Sequence, residues 1–229
     1  MTRARPSEAT GRESAVAVRH VGILGGTFDP IHNGHMALAA CALAQLPIDE
    51  LLIVPAGSPP HKQGRAPAPA ADRLAMVALA VDELAEVTVE PLETERPGPS
   101  YTVDTVAELI ANAEAAGRPI APTVIMSADT FAELATWHEP ERLVELARIA
   151  VAPRHGHRLP DAGPLIARLP GLAGRIDFFD GPDLDVSASD IRARVAEGRP
   201  IDGLVPPPVA AYIAAHRLYR DPHRRKDRT

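Results

Sequence analysis

The feature that most constrains the fold is an alternation of short apolar runs with longer segments whose apolar residues recur at helical spacing. Unbroken apolar runs are typical of strands buried on both faces of a parallel sheet. Strands are predicted at residues 21–24, 51–54, 87–89, 123–126, 149–152 and 175–179. Helices are predicted at residues 35–46, 71–84, 102–116, 140–146, 187–197 and 208–216. Because alternating strands and helices are joined by right-handed crossovers, the sequence predicts an α/β protein with a doubly wound parallel sheet.

The element order also predicts where ligands bind. In doubly wound sheets they bind outside the carboxyl ends of the strands, so the loops that follow strands are the candidate sites. Two of these loops are long, residues 56–70 and 154–174, and long loops are usually functional or disordered. Residues 1–18 and 220–229 are polar and lack a sustained period. We expect a disordered N-terminal extension and a flexible basic C-terminal tail around one domain at residues 19–219.

Composition and charge exclude several classes of protein. The 229 residues carry a formal net charge of −6, which disfavours general electrostatic binding to nucleic acid or anionic lipid. The single cysteine, Cys41, can form neither an intramolecular disulfide nor a cysteine-based zinc site, which favours a reducing compartment. No apolar run approaches the ~20 residues that span a bilayer. A cytoplasmic protein with small-molecule partners is therefore predicted, and a homo-oligomer is left open.

The loop after the first predicted strand has the composition of a phosphate-binding site. It reads Gly-Gly-Thr-Phe-Asp-Pro-Ile-His-Asn-Gly-His over residues 25–35 and leads directly into an apolar helix. Glycines let the backbone approach a ligand, and a helix start supplies N–H donors to phosphate. The candidate phosphate-binding residues are Gly25, Gly26, Thr27 and Phe28. Neither the dinucleotide fingerprint nor the P-loop spacing is present, so another chemistry is indicated.

His32 and His35 are the candidate catalytic residues of this loop, because three-residue spacing at a helix start can present both rings to one site. A metal pair is one alternative, although no Asp, Glu or Cys at motif spacing completes a zinc shell. Two solvent-exposed histidines are the other alternative, which the surrounding glycines disfavour. Imidazoles that donate hydrogen bonds to phosphate oxygens provide the charge stabilisation that phosphoryl or nucleotidyl transfer mainly requires.

Two segments resemble the signatures of the HxGH nucleotidyltransferase superfamily. Residues 26–35 are similar to its G-x-F-x-P-x-H-x-G-H motif, and residues 186–192, Val-Ser-Ala-Ser-Asp-Ile-Arg, are similar to its I-S-S-T-x-I-R motif. The resemblance implies a Rossmann-like nucleotidyltransferase fold. It also implies that Arg192 holds the triphosphate of ATP and that Ser187, Ser189 and Ile191 contribute to the same site. Taken alone, Ser187 or Ser189 is more often an ordinary helix N-cap.

Three further stretches resemble one branch, the bacterial nicotinate-nucleotide adenylyltransferases. Residues 55–62 are similar to its P-x-x-x-P-P-H-K loop, residues 98–105 to G-P-S-Y-T-x-D-T, and residues 123–138 to I-x-G-x-D followed by W-H. The resemblance implies that Lys62 binds phosphate, that Asp129 accepts hydrogen bonds from the adenosine ribose, and that Trp137 stacks on the pyridine ring. A core-packing role for Trp137 is the alternative.

The same resemblance assigns the mononucleotide side of the site to Ser100, Tyr101, Thr102 and Arg154. Thr102 is a predicted N-cap, and the N–H groups of that helix start are able to receive a carboxylate, which favours nicotinate over nicotinamide.

The sequence departs from the family pattern at three positions. Ser127 replaces glycine near the expected adenosine site, Ala188 replaces the middle serine of the second signature, and His155 follows Arg154 where proline is common.

Taken together, the resemblance implies transfer of AMP from ATP to nicotinate mononucleotide, giving deamido-NAD and pyrophosphate. Mg²⁺ is expected to arrive with ATP, without a metal site on the protein. The alternatives are an adenylyltransferase for nicotinamide mononucleotide or phosphopantetheine, a nucleotide-binding regulator without turnover, and a histidine-based metal-binding protein.

Overall fold

All six strands of the central sheet run parallel. The computed structural model describes residues 16–58, 67–153 and 159–220. The strands are β1 (Arg19–Gly26), β2 (Glu50–Pro55), β3 (Val87–Val89), β4 (Ile120–Ser127), β5 (Arg148–Ala152) and β6 (Ile176–Phe178). Their order in the sheet is β3-β2-β1-β4-β5-β6, so the order reverses between β1 and β4. The predicted doubly wound parallel sheet is confirmed, and each predicted strand overlaps an observed one.

Helices connect the strands and cover the sheet. They are α1 (Asn33–Gln45), α2 (Ala70–Val81), α3 (Leu92–Glu95), α4 (Thr102–Ala115), α5 (Ala128–Ala132), α6 (Pro140–Leu146), α7 (Gly163–Arg168), α8 (Ala188–Glu197) and α9 (Pro207–Ala215). The six predicted helices match α1, α2, α4, α6, α8 and α9, and α1 begins two residues earlier than predicted. The described helices and strands all fall within the range predicted for the domain, residues 19–219. None of the described helices is long and apolar enough to cross a membrane.

The prediction of an unbroken loop at residues 154–174 was wrong. Helix α7 and a 3-10 turn at Pro170–Leu172 lie within it. Leu165, Leu169 and Leu172 are buried against the sheet cluster that includes Val144 and Val151. These helical pieces are too short for their apolar spacing to stand out in the sequence. Residues 59–66 and 154–158, one part of each predicted loop, lie outside the described residues.

Alternate residues of the strands pack on opposite faces of the sheet. Ile23 of β1 and Val124 of β4 belong to one buried cluster, with α4 and α6. Leu24 and Ile125, one position further along each strand, belong to the other, with α1, α2, α8 and α9. The unbroken apolar runs arise because both faces are covered by helices. The carboxyl ends of all strands meet at one edge of the sheet, and the loops at this edge form the candidate site.

Candidate active site

A cavity of about 530 Å³ opens at the carboxyl edge of the sheet, beside the point between β1 and β4 where the strand order reverses. Its walls come from the loop after β1, the starts of α1 and α4, the end of β4 and the segment before α8. The predicted site residues that line it are Gly25, Gly26, Thr27, His32, His35, Ser100, Tyr101, Thr102 and Trp137. The structure therefore brings both histidines and the predicted mononucleotide-binding turn to one cavity.

The two histidines at the start of α1 are stacked on each other. Their ring centroids are 3.7 Å apart with an interplanar angle of 22°. The main-chain N–H of His32 donates to Nδ1 of His35 at 3.3 Å. Nδ1 is therefore an acceptor, which places the proton of the neutral His35 ring on Nε2. Phe28 packs edge-on against His35, with centroids 4.9 Å apart, and fixes the ring from another side.

The start of α1 offers fewer N–H groups than a free helix end. The Asn33 N–H donates to the carbonyl of Leu204 at 2.9 Å, and the N–H groups of His35 and Met36 donate to the carbonyl of His32. Within the part of the chain that the structure describes, the Gly34 N–H meets no acceptor. The groups at this helix start that could bind an anion are therefore the Gly34 N–H and the two imidazole rings.

Arg192 lies at the edge of the same loop. Its Nη1 donates to the main-chain carbonyl of Asp29 at 2.6 Å and lies 3.6 Å from the Asp29 carboxylate. The Asp29 carboxylate is buried and also accepts from the Ala68 N–H and the Tyr219 hydroxyl. Burial and the neighbouring Asp29 charge raise the pKa of Tyr219 well above its usual range. Arg192 does not line the cavity itself, but it contacts the loop that does.

Arg73 joins two loops beneath the cavity. Its guanidinium donates to the carbonyls of Ala68, Thr27 and Gly57 at 3.0, 2.8 and 3.0 Å, and its side chain is only 1% exposed. Burial lowers the pKa of Arg73, and the Asp29 charge opposes that shift. Sequence reasoning missed Arg73, since an arginine in the first turns of a helix is ordinarily a surface residue.

The start of α4 presents main-chain donors on the other side of the cavity. Thr102 is the first helical residue, so the N-cap is Tyr101 and the prediction of Thr102 as N-cap was wrong by one position. The first helical bond runs from the Thr105 N–H to the Tyr101 carbonyl, at 3.2 Å, and the N–H groups before it have no acceptor inside the helix. Tyr101 stacks on His138 with centroids 4.2 Å apart. Trp137, half-buried, lines the cavity beside this pair.

A buried carboxylate, that of Glu93, also lines the cavity and was missed by sequence reasoning. Its side chain accepts a hydrogen bond from the Thr105 hydroxyl at 2.7 Å. Burial raises the pKa of Glu93, while hydrogen bonds from Thr105 and Ser100 and the charge of Arg96 act in the opposite direction. The run Leu-Glu-Thr-Glu-Arg at residues 92–96 has no sequence signal that separates Glu93 from its exposed neighbour Glu95.

The end of β4 forms the third wall. Ser127, the N-cap of α5, lines the cavity, and its hydroxyl lies 3.0 Å from that of Thr130. The departure from glycine at this position therefore places a hydroxyl pair on the wall. Asp129 is exposed on α5 and does not line the cavity.

The predicted residues of the second signature lie around the start of α8. Ser187 is the N-cap and accepts from the Asp190 N–H at 3.2 Å, and the Ser187 and Ser189 hydroxyls are 3.1 Å apart. Ile191 is fully buried in the core and its N–H donates to the Ser187 carbonyl. The Ile191 side chain therefore packs in the core and does not line the cavity. Lys62 and Arg154 lie outside the described residues.

Among described residues, no group of three or more His, Cys, Asp or Glu is placed to hold a metal ion.

Comparisons with known proteins agree with this geometry. The cytidylyltransferase-like family model matches residues 23–194. A Thermomicrobium roseum protein named probable nicotinate-nucleotide adenylyltransferase is 43% identical over 203 residues, covering 87% of this chain and 91% of its own. The chain belongs to the nicotinate-nucleotide adenylyltransferase family. A Streptomyces coelicolor protein with the same name is 41% identical over 201 residues, which cover 86% of this chain and 99% of that protein.

Solved structures support the fold of this nicotinate-nucleotide adenylyltransferase family member. The Plasmodium falciparum nicotinic acid mononucleotide adenylyltransferase, in complexes with APC and with NaAD, matches with a TM-score of 0.67 in both cases. Each match covers 88% of this chain and 97% of the other, at 19% and 20% identity respectively. At this identity the match shows a shared nucleotidyltransferase fold.

Proposed function

We propose that this protein transfers AMP from ATP to nicotinate mononucleotide and releases deamido-NAD and pyrophosphate. The observation that carries the proposal is that one cavity holds both the His32–His35 pair and the start of α4. The histidine pair supplies donors for phosphate. The start of α4 supplies main-chain donors beside Tyr101 and Trp137. Membership of a family whose relatives carry this activity in their names supports the same conclusion.

The reaction is a single in-line displacement. A phosphate oxygen of the mononucleotide attacks the α-phosphorus of ATP, a new P–O bond forms, and the bond to the β-phosphate oxygen breaks to release pyrophosphate. The nucleophile is already an ionised phosphate, so no side chain has to remove a proton. Catalysis therefore consists of positioning and charge stabilisation.

His35 supplies that stabilisation through its Nε2–H, because Nδ1 is occupied by the His32 N–H. His32, stacked on the same ring, holds it in place and assists on the triphosphate. Arg192 binds triphosphate oxygens from the rim of the loop, with Ser187 and Ser189 beside it. Lys62 and Arg154 complete the anion-binding set. Asp129 does not line the cavity, but it lies between the lining residues Ser127 and Thr130 and accepts hydrogen bonds from a ribose at this edge.

Mg²⁺ enters with ATP in this proposal and neutralises charge on the triphosphate. The donors that face the histidine side of the cavity, imidazole rings and a main-chain N–H, suit anionic oxygens. These donors suit the oxygens of a metal–triphosphate complex, whereas a bare cation requires oxygen ligands that accept.

Pyrophosphate release measured with ATP and each acceptor in turn tests the assignment. We expect turnover with nicotinate mononucleotide and a lower kcat/KM with nicotinamide mononucleotide. Phosphopantetheine should give no pyrophosphate, and mass spectrometry of the product should detect deamido-NAD. A higher kcat/KM with the amide or with phosphopantetheine would replace the proposed acceptor, and no pyrophosphate with any acceptor would indicate a binding protein without turnover.

A further inference from the structure

We propose that Glu93 is a positioning residue for the mononucleotide half of the site, which it sets by holding the start of α4 against the loop after β2. The inference rests on the proposed function, since it concerns the binding of nicotinate mononucleotide. Glu93 is a buried carboxylate on the cavity wall, 7% exposed, and the reaction described above gives it no chemical step.

The Ser100 hydroxyl is the first link in this arrangement. Its oxygen accepts from the N–H groups of Gly57 and Ser58, at 3.0 and 3.2 Å. The hydroxyl oxygen has two lone pairs, so both are used and only its proton remains. The Ser100 hydroxyl also acts on Glu93, where it lowers the pKa of the carboxyl and so favours the ionised form. Ser100 thus connects the loop after β2 to Glu93 of α3.

The Thr105 hydroxyl is the second link. It donates to Oε1 of Glu93 at 2.7 Å and accepts from Nη2 of Arg96 at 3.1 Å. The Thr105 hydroxyl therefore directs its proton at Glu93, and both hydroxyls favour an ionised carboxylate there. An ionised carboxylate is acceptor-only and satisfies both, whereas a glutamine amide presents one oxygen and one NH₂ group. Glutamine at this position would supply neither the negative charge nor a second acceptor oxygen.

Charge and packing support the same assignment. Arg96 supplies a positive charge that compensates in part for the buried carboxylate, because its Nη1 also pairs with the Glu108 carboxylate at 3.1 Å. A Cβ placed on Gly57 would clash with the main-chain carbonyl of Glu93, which shows how closely the loop after β2 packs on α3. Gly57 is therefore held both by packing on the Glu93 main chain and by a hydrogen bond to the Ser100 side chain.

The contacts of Glu93 should affect the binding of one substrate, nicotinate mononucleotide. Ser100 is followed directly by Tyr101 and Thr102, which line the cavity and begin α4. The contacts that link Glu93 to Ser100, Thr105 and Arg96 all lie on this side of the cavity, and the histidine pair stands at the start of α1. A change at Glu93 should displace the groups that face the pyridine ring and leave the groups that face the triphosphate in place.

Steady-state kinetics of Glu93→Gln test the proposal, with Glu95→Gln as the matched control on the exposed side of α3. We expect the KM for nicotinate mononucleotide to rise about 10-fold, while the KM for ATP and kcat stay within about 3-fold, because only ground-state positioning of one substrate is lost. Glu95→Gln should behave like the wild type. A purely structural role for Glu93 would lower the unfolding temperature without separating the two KM values.

Ser100→Ala breaks the same link from its other end and carries the test if Glu93→Gln does not fold. It should raise the same KM, and the double variant should be no worse than Ser100→Ala alone, since both remove one interaction. Equal rises in both KM values, no change in either, or additive effects in the double variant would overturn the role of Glu93. Failure of the wild type to release pyrophosphate with nicotinate mononucleotide would instead overturn the proposed function.

Discussion

The Arg192 guanidinium donates a hydrogen bond of 2.6 Å to the main-chain carbonyl of Asp29, across 163 positions of sequence. This contact joins the helix of the second signature, α8, to the histidine loop after β1. The Arg192 side chain remains 23% exposed, and its guanidinium has further N–H donors besides the one that binds Asp29. The two signatures are therefore in direct contact although they are far apart in the chain.

Arg192→Lys should weaken the use of ATP and leave mononucleotide binding nearly unchanged. A lysine ammonium is a point charge and cannot donate to Asp29 and a phosphate in the same fork geometry. Titration calorimetry with each substrate and the KM for ATP measure the effect. Arg194→Lys is the matched control, because Arg194 pairs with Asp190 on the outer side of the same helix. Equal weakening of the binding of both substrates would contradict the assignment of Arg192 to ATP.

His35→Ala should lower kcat/KM at least about 100-fold, roughly 3 kcal/mol, which is the scale for loss of one positioned charge-stabilising donor. The fold should persist, since the variant removes a ring that lines a cavity. His20→Ala, an exposed histidine at the start of β1, should keep wild-type activity. Near-normal turnover in a folded His35→Ala protein would contradict the assigned role.

Arg73→Leu should destabilise the protein by about 3 kcal/mol, because it leaves the carbonyls of Ala68, Thr27 and Gly57 buried without a donor. Urea denaturation followed by circular dichroism measures the free energy of unfolding. Arg199→Ala, at an exposed ion pair with Glu197, should change it far less. A loss no larger than that of Arg199→Ala would show that water replaces the guanidinium without cost.

Glu93 gives stability a defined pH dependence. Since burial raises the pKa of Glu93 above its ordinary value of 4.5, the folded state binds the proton more tightly than the unfolded state. Wild-type stability should therefore fall relative to Glu93→Gln as the pH rises above 4.5, until Glu93 is fully ionised in the folded protein. Denaturation of both proteins across this range gives the difference. A difference that is constant with pH would mean that Glu93 titrates alike in both states.

Much of the sheet was predictable because strands covered on both faces carry unbroken apolar runs, as in β2 and β5. The histidine loop was predictable because its glycines and histidines are close together in sequence. The buried polar groups around the cavity were not predictable from the sequence. Asp29 is bound by Tyr219 across 190 positions, and Glu93 differs from Glu95 only in the tertiary contacts that bury it. Local sequence carries no information about such contacts.

Trp137 should determine the affinity for the mononucleotide, and the start of α4 should determine the selectivity for the acid over the amide. An aromatic ring stacks equally well on nicotinate and nicotinamide, whereas main-chain N–H groups at a helix start favour the charged carboxylate over the neutral amide. Trp137→Ala should therefore raise the KM for both mononucleotides by similar factors, corresponding to about 1–3 kcal/mol if the indole stacks as aromatic side chains do on bases.

Thr102→Pro removes one of those N–H groups with little disturbance of the helix. Thr102 is the first residue of α4, where proline is tolerated, and Tyr101 before it is extended, with φ −110° and ψ 130°, as a residue that precedes proline prefers. The variant should fold, keep kcat for the amide, and lose most of the preference for the acid. The ratio of kcat/KM for the two mononucleotides measures this directly. If Trp137→Ala abolished the preference while folded Thr102→Pro retained it, the carboxylate would be recognised by a group other than the α4 main chain.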